Sequence, residues 1–258
     1  MIETGANMEL SFHLTPPNIS YNVYKIRKKS GKMRVITAPN PILKQCQREI
    51  MEYLNTIPLS DHAHGFVEGR SIVSNAKNHV NKKYVLNIDL KDFFPSVNRD
   101  MVENLFEEVN LPKEYIDIVL LNDVLPQGSP CSPVISNLIC RDMDKDMSSY
   151  AESLNLSYSR YADDMTFSGD NINRDVINKI YSIVKKHNLI VNKEKTIVLG
   201  RHKRQIVTGL VVNEKVNITR NTRRRIRAMK HQYEELSEYE KQYLTGMNGV
   251  EEMIRQGI

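Results

Sequence analysis

Between Tyr158 and Gly169 two segments of alternating apolar and polar residues flank an adjacent pair of acids, in the order Tyr161-Ala162-Asp163-Asp164. The alternation predicts a β-hairpin with both carboxylates at its tip. Adjacent carboxylates repel and raise each other's pKa unless a cation neutralises them. A fold that keeps both ionised is therefore a candidate for hard, oxygen-seeking ions such as Mg²⁺. Taken alone the pair is equally a set of turn residues.

A third acid narrows the choice. Tyr84-Val85-Leu86-Asn87-Ile88-Asp89 has the pattern of a buried strand that ends in a carboxylate, followed by Leu90-Lys91-Asp92-Phe93-Phe94-Pro95-Ser96. An acid at the end of an apolar strand is costly unless it meets a metal or another partner. Beside the hairpin, Asp89 would complete a two-metal cluster of the kind that activates an attacking hydroxyl and steadies a leaving oxygen. A strand-capping Asp89 unrelated to Asp163 is the other reading.

Between these elements lies Leu125-Pro126-Gln127-Gly128-Ser129-Pro130-Cys131-Ser132-Pro133, a tight turn before a helix start. Gly and Pro allow its backbone to approach a ligand, and a helix start offers free N–H groups to an anion. The acid strand, the Gln-Gly turn and the Tyr-x-Asp-Asp hairpin, in this order, resemble bacterial reverse transcriptases. Gly65-Phe66-Val67-Glu68-Gly69-Arg70-Ser71 resembles a fingers segment of those enzymes. Asn75-Ala76-Lys77-Asn78-His79 and Val207-Thr208-Gly209 are similar to two signatures of the retron branch, and the likeness runs from about Asn22 to the end.

The resemblance implies an α+β right-hand polymerase fold, with fingers over 1–82, palm over 83–209 (98–125 packing toward the fingers) and a short thumb over 210–258. It implies RNA-directed DNA polymerase activity with two Mg²⁺ ions held by Asp89, Asp163, Asp164 and the backbone carbonyl of Leu90. Arg34, Phe94, Gln127 and Lys195 are the implied nucleotide contacts. The Phe94 ring would lie under the sugar and select dNTPs, although a core-packing phenylalanine is its other reading, with Phe93 the better fit to that role. Lys195 is equally readable as a surface lysine. Asn75, His79 and Thr208 are the implied RNA contacts. The implied partners are a structured noncoding RNA and its cDNA, dNTPs and an effector protein of a phage-defence unit, with a branched RNA–DNA product. The family's thumb is longer, whereas this chain stops at Ile258. Another bacterial reverse transcriptase class, intron-encoded or of the abortive-infection type, and a weakly active RNA- and effector-binding scaffold are the alternatives.

Charge adds a location. The chain carries a net +5, yet residues 201–231 hold ten Lys/Arg against one Glu. Within that segment Arg220, Arg223, Arg224, Arg227 and His231 recur at helical steps, with Ile226, Met229 and Tyr233 expected on the apolar face. A phosphate-backbone contact surface and a merely solvated helix face are the two readings.

The remaining pattern predicts two strands between Tyr21 and Val35 joined by the basic turn Arg27-Lys28-Lys29-Ser30-Gly31-Lys32. It also predicts a helix from Pro41 with Leu43, Cys46, Ile50, Leu54 and Ile57 on one face. Further helices are expected over Asp100 to Val109, Val134 to Tyr150 and Asp175 to Lys186, then a strand near Leu210 to Val212, the basic helix and a short terminal helical region. No apolar run is long enough to span a membrane. The opening Met1-Ile2-Glu3-Thr4-Gly5 lacks a basic region followed by an apolar stretch. Three cysteines, Cys46, Cys131 and Cys140, lack metal-site spacing. The expectation is a cytoplasmic chain with reduced thiols.

Overall fold

The computed structural model describes residues 19–27, 31 and 33–257; the expected basic tip at Lys28, Lys29 and Lys32 and the irregular opening residues lie outside them. Strands β1 (Tyr21–Arg27) and β2 (Met33–Pro39) pair as the expected antiparallel hairpin. Helix α1 (Pro41–Leu54) starts where Asn40 accepts the Leu43 N–H and Pro41 occupies the first turn. It ends at Leu54, so Ile57 lies beyond the helix and packs from a turn. Then come α2 (Ile72–Lys77), β3 (Tyr84–Leu90), α3 (Phe93–Ser96), α4 (Arg99–Glu108) and α5 (Ile116–Val119).

The long helix expected over Val134 to Tyr150 is two, α6 (Ser132–Ile139) and α7 (Arg141–Ser153), divided at the buried Cys140. The division has a packing cause: α6 contributes to one core and α7 to another. Next are the hairpin β4 (Ser157–Tyr161) and β5 (Asp164–Gly169), α8 (Arg174–Lys186), capped by Asn173, and β6 (Val191–Gly200). Three two-residue strands, β7 (Ile206–Val207), β8 (Leu210–Val211) and β9 (Asn217–Ile218), form a small sheet. Only β8 has a counterpart in the sequence pattern.

Helix α9 (Arg220–His231), capped by Thr219, is the basic helix. The terminal region is a single 19-residue helix, α10 (Glu238–Gln256), and not a short one. A Ser237–Glu240 capping box starts it and Gly257, in the left-handed region, ends it. Leu244 and Val250 are buried along it, with Met247, Met253 and Ile254 packed beside them, and this periodic apolar face carries Gly246 and Gly249 through. Tyr233 does not join the apolar face of α9: it falls in the turn past the helix end and is 47% exposed.

The central sheet is antiparallel with order β4-β5-β3-β6. Three cores surround it. The first joins α1, α4, α5 and α6; the second lies between the sheet and α7 and α8; the third joins α2, the small sheet, α9 and α10. Among the described residues no helix is long and apolar enough to cross a membrane.

Candidate active site

Strand β3 carries Asp89 near its end because Val85, Leu86, Ile88 and Leu90 are buried on both faces of the sheet. The register sets Asp89 opposite Asp164 on β5, which places the two Cα atoms about 5 Å apart. Between β4 and β5 the chain reverses through Ala162, whose φ of 56° lies in the left-handed region. That reversal turns the Asp163 carbonyl toward β3, where it accepts the Leu90 N–H at 2.9 Å. The three acids expected from the sequence are thus gathered at one end of the sheet, with Leu90 bonded to the same turn.

Their electrostatics follow. Burial, then Asp163 and Asp89, push the Asp164 carboxyl up to about 6, while Lys195 pulls the other way. Burial chiefly, and Asp89, also raise Asp163, opposed by Lys195 and Arg34. Arg34 on β2 is therefore within electrostatic reach of the turn. Asp89, 7% exposed, accepts Asn192 Nδ2 at 3.0 Å and Lys195 Nζ at 2.7 Å from β6. This hydrogen bond is the main reason the Lys195 ammonium is raised above its ordinary value. Lys195 remains 61% exposed on its side chain while its Nζ meets Asp89. Asn192 carried no signal in the sequence.

Among the described residues no three His, Cys, Asp or Glu side chains close into a metal cage. The donor chemistry nevertheless fits a hard cation. Three carboxylates share one sheet end, two are held above their ordinary range by burial and mutual charge, and Asp89 already meets an ammonium.

The Gln-Gly turn packs against β2. The Gln127 carbonyl accepts the Thr37 N–H of β2 at 2.7 Å, and Gly128 has φ 137°. A Cβ at Gly128 would stand 2.5 Å from the Thr37 carbonyl oxygen, so only glycine lets the two backbones meet. Gln127 is half-buried, three residues across from Arg34 on the strand it touches. Phe93 is buried, as expected of a core residue, and Phe94 is half-buried between Phe93 (5.5 Å between ring centres) and Phe66 (6.2 Å).

A buried polar network, illegible in the sequence, holds the acid turn. Arg160, 0% exposed, donates Nε and Nη2 to the two oxygens of Asp144 at 2.8 and 2.7 Å. Its Nη1 donates to Asn137 Oδ1 and to the Ala162 carbonyl. Tyr158 donates its hydroxyl to Asp144 Oδ1, and Asn137 donates to the Gly65 carbonyl. A Cβ at Gly65 would lie 2.5 Å from the Ala162 nitrogen, which accounts for that glycine.

Two of the expected RNA contacts are not at a surface. Asn75 and His79 are both 0% exposed. His79 meets Ser168 Oγ through Nδ1 and Ser159 Oγ through Nε2, each at 2.7 Å, and Ser159 donates to Asn75 Oδ1. Because the Ser159 proton goes to Asn75, His79 donates from Nε2 and accepts from Ser168 at Nδ1. The motif therefore bolts α2 and the turn after it to β4 and β5, with Asn75 on the helix and His79 just past its end, both pointing inward. Thr208, with φ 46°, donates its hydroxyl to the Ile72 carbonyl at the start of α2. On α9, Arg220, Arg224 and Arg227 are exposed, while Arg223 is half-buried and donates to Asn217. Arg225 lies over the Tyr243 ring at 4.5 Å.

Comparison with known proteins adds to this geometry. Residues 26–229 match the family described as Reverse transcriptase (RNA-dependent DNA polymerase). The chain is 37% identical over 224 residues to the Retron Ec86 reverse transcriptase of Escherichia coli, covering 82% of this chain and 69% of that one. It is 34% identical to the Retron Mx65 reverse transcriptase of Myxococcus xanthus, covering 90% of this chain and 60% of that one. It is 32% identical to the Retron Ec83 reverse transcriptase of Escherichia coli, covering 90% and 82%. The chain spans less than two thirds of the second of these relatives. Among solved structures, an apo telomerase from Candida tropicalis truncated from its C-terminal domain superposes with a TM-score of 0.52 at 15% identity, covering 78% of this chain and 55% of that one. A foamy viral protease-reverse transcriptase in complex with double-stranded DNA gives 0.51 at 19% identity, covering 88% and 35%. These two show a shared fold.

Proposed function

Because the chain belongs to the reverse transcriptase family and to its retron branch, we propose that it copies a structured noncoding RNA into DNA by extending a primer hydroxyl. The observation that carries this is the register of β3 against β5, which sets Asp89 beside Asp164 with Asp163 at the adjoining turn. Asp89, Asp163, Asp164 and the Leu90 carbonyl would hold two Mg²⁺ ions. Bound there, the pair would lower the pKa of the primer hydroxyl and neutralise charge on the transferring phosphate.

The chain's own groups supply position and charge. Lys195, whose charge already acts on Asp163 and Asp164, and Arg34, whose charge acts on Asp163, would meet the triphosphate. Gln127, anchored through its carbonyl to β2, orients the incoming nucleotide, and the Phe94 ring under the sugar disfavours a 2′-hydroxyl. Fixing these groups before reaction is the larger part of the catalysis. The exposed guanidiniums of Arg220, Arg224 and Arg227 would take RNA phosphates, with Arg223 contributing beside Asn217. Asn75, His79 and Thr208 act on the template only through the placement of α2. In this reading the fingers run to residue 82, the palm over 83–209 and the thumb over 210–258. The product is a branched RNA–DNA hybrid, made in the cytoplasm and used with an effector protein in phage defence.

Primer extension on an RNA template with dNTPs and Mg²⁺ tests the reading. Asp163→Asn and Asp164→Asn should each abolish synthesis while RNA affinity stays within about twofold, since loss of a ligand here acts on the transition state. Wild-type synthesis by either variant refutes the acid assignment, and a wild-type chain that binds RNA but never extends leaves the scaffold alternative standing.

A further inference from the structure

The segment Gly65-Phe66-Val67-Glu68-Gly69-Arg70-Ser71 lies in the connection between α1 and α2 and is anchored to the acid hairpin. Just ahead of it, residues 62–64 run along β4 in a short parallel pairing. The Arg160 N–H donates to the His62 carbonyl and the His64 N–H to the Arg160 carbonyl, each at 2.7 Å, with Ala63 bridged to Arg160. The Gly65 carbonyl then accepts from Asn137 Nδ2, and the residue leaves no room for a Cβ against the Ala162 nitrogen. On the other side, Arg70 folds back and donates Nη1 to the carbonyls of Ser60, Asp61 and Ala63. His64 Nδ1 also meets Ser74 Oγ of α2 at 2.8 Å. The backbone on both sides of Phe66 is thus fixed to the strand that leads into Asp163.

Phe66 itself has two features that core packing does not explain. Its φ of 62° puts a bulky side chain in the left-handed region, where glycine or asparagine sits at less cost. Its ring is 50% exposed and, among the described residues, joins none of the three cores. Strain of this kind persists only where the surroundings over-determine it, and it gathers at ligand-contacting positions. The aromatic neighbour of the Phe66 ring is Phe94: the ring centres are 6.2 Å apart and the planes are tilted by 41°, within the range of an aromatic pair. Phe94 meets Phe93 at 5.5 Å and packs against the margins of the first and second cores.

We infer that Phe66 is a positioning residue for sugar selection: its ring, locked to the acid hairpin, bears on the Phe94 ring and fixes how far that ring stands into the space of the incoming sugar. Without Phe66 the Phe94 side chain would keep Phe93 but would turn toward the volume left by the missing ring, opening room for a 2′-hydroxyl. The two substrates differ by one oxygen atom, so a displacement of about 1 Å is enough to decide between them. The inference rests on the reading of Phe94 as the ring under the sugar.

The test compares the full chain with Phe66→Gly, which removes the ring and suits the backbone, and with Phe66→Tyr, which keeps the ring. Phe94→Val and the double variant Phe66→Gly, Phe94→Val complete the set. Single-nucleotide incorporation on an annealed RNA–DNA primer–template gives kcat/KM for a dNTP and for the matching rNTP. Binding of the same two nucleotides to a complex with a dideoxy-terminated primer gives their Kd ratio without chemistry. Loss of one aromatic pair corresponds to about a three- to tenfold change, so Phe66→Gly should relax discrimination against the rNTP by about that factor in both assays. Phe66→Tyr should keep the wild-type ratio. Because Phe66 acts through Phe94, Phe66→Gly should add nothing once Phe94→Val is present. A wild-type ratio in Phe66→Gly, with Phe94→Val relaxed, overturns the inference and leaves the gate standing. Further loss of discrimination in the double variant also overturns it, since Phe66 would then act without Phe94. Weaker primer–template binding with an unchanged ratio would make the ring a stacking platform for a base, again against the inference. Wild-type ratios in both single variants would remove the gate, and the role of Phe66 with it. A wild-type chain that shows the expected binding ratios but never extends a primer would sink the polymerase reading alone.

Discussion

Acidifying the protein should loosen α2 from the central sheet, through His79. Its ring is enclosed between Ser159 and Ser168, and burial, chiefly, holds its pKa down to about 3. In the unfolded chain the same ring titrates near 6.5. The folded state therefore excludes a proton that the unfolded state binds, so the His79 contribution is intact above pH 6.5 and is lost as pH falls toward 3. Linkage gives a loss of about 2 kcal/mol on going from about pH 7.5 to about pH 5. For a chain of this size that is a fall of roughly 4–8 °C in Tm. Other histidines titrate as well, so the quantity to measure is the difference in acid destabilisation between the wild type and His79→Gln, by urea denaturation at both pH values. His79→Gln should remove about 2 kcal/mol of the dependence. Should that variant fail to fold, the ring's own titration in the wild type, followed by NMR, decides the matter. A His79 ring that takes up its proton between pH 6 and 7 would refute the buried neutral bolt.

Gly65→Ala puts a Cβ against the Ala162 nitrogen and should cut primer-extension kcat about a hundredfold, with RNA affinity little changed, because small misplacement of reacting groups costs that much; a wild-type rate would mean the turn is not held by this contact. Asp144→Asn leaves the Arg160 charge buried without its counter-ion and should cost about 3–5 kcal/mol in denaturant titration. A loss under about 1 kcal/mol would show that water reaches the pair. Phe94→Val should raise rNTP use relative to dNTP in competition assays, whereas Phe93→Ala, which empties a buried site, should lower stability by about 3–5 kcal/mol; unchanged sugar discrimination in Phe94→Val removes the gate.

Much of the site was legible in the chain itself, because local pattern and chemistry coincide there. The alternation around Tyr161-Ala162-Asp163-Asp164 and the apolar run into Asp89 dictate strands that end in acids, and the structure pairs those strands in register. The tight turn at Gln127-Gly128 needed only its glycine to be recognised. What the chain alone left undetermined depends on contacts between distant residues. Arg160 looks like any charged residue in an alternating strand, and only the packing of α6 and α7 beneath β4 brings Asn137 and Asp144 to it. Asn75 and His79 have polar side chains that suggest contact with a ligand, yet α2 and the turn that follows it pack on β4 and β5 and bury both. Lys195 and Asn192 reach Asp89 only because β6 crosses beside β3 with a shift in register after Asn87. Periodicity records which face of an element is buried, and the sheet register decides which partner it is buried against.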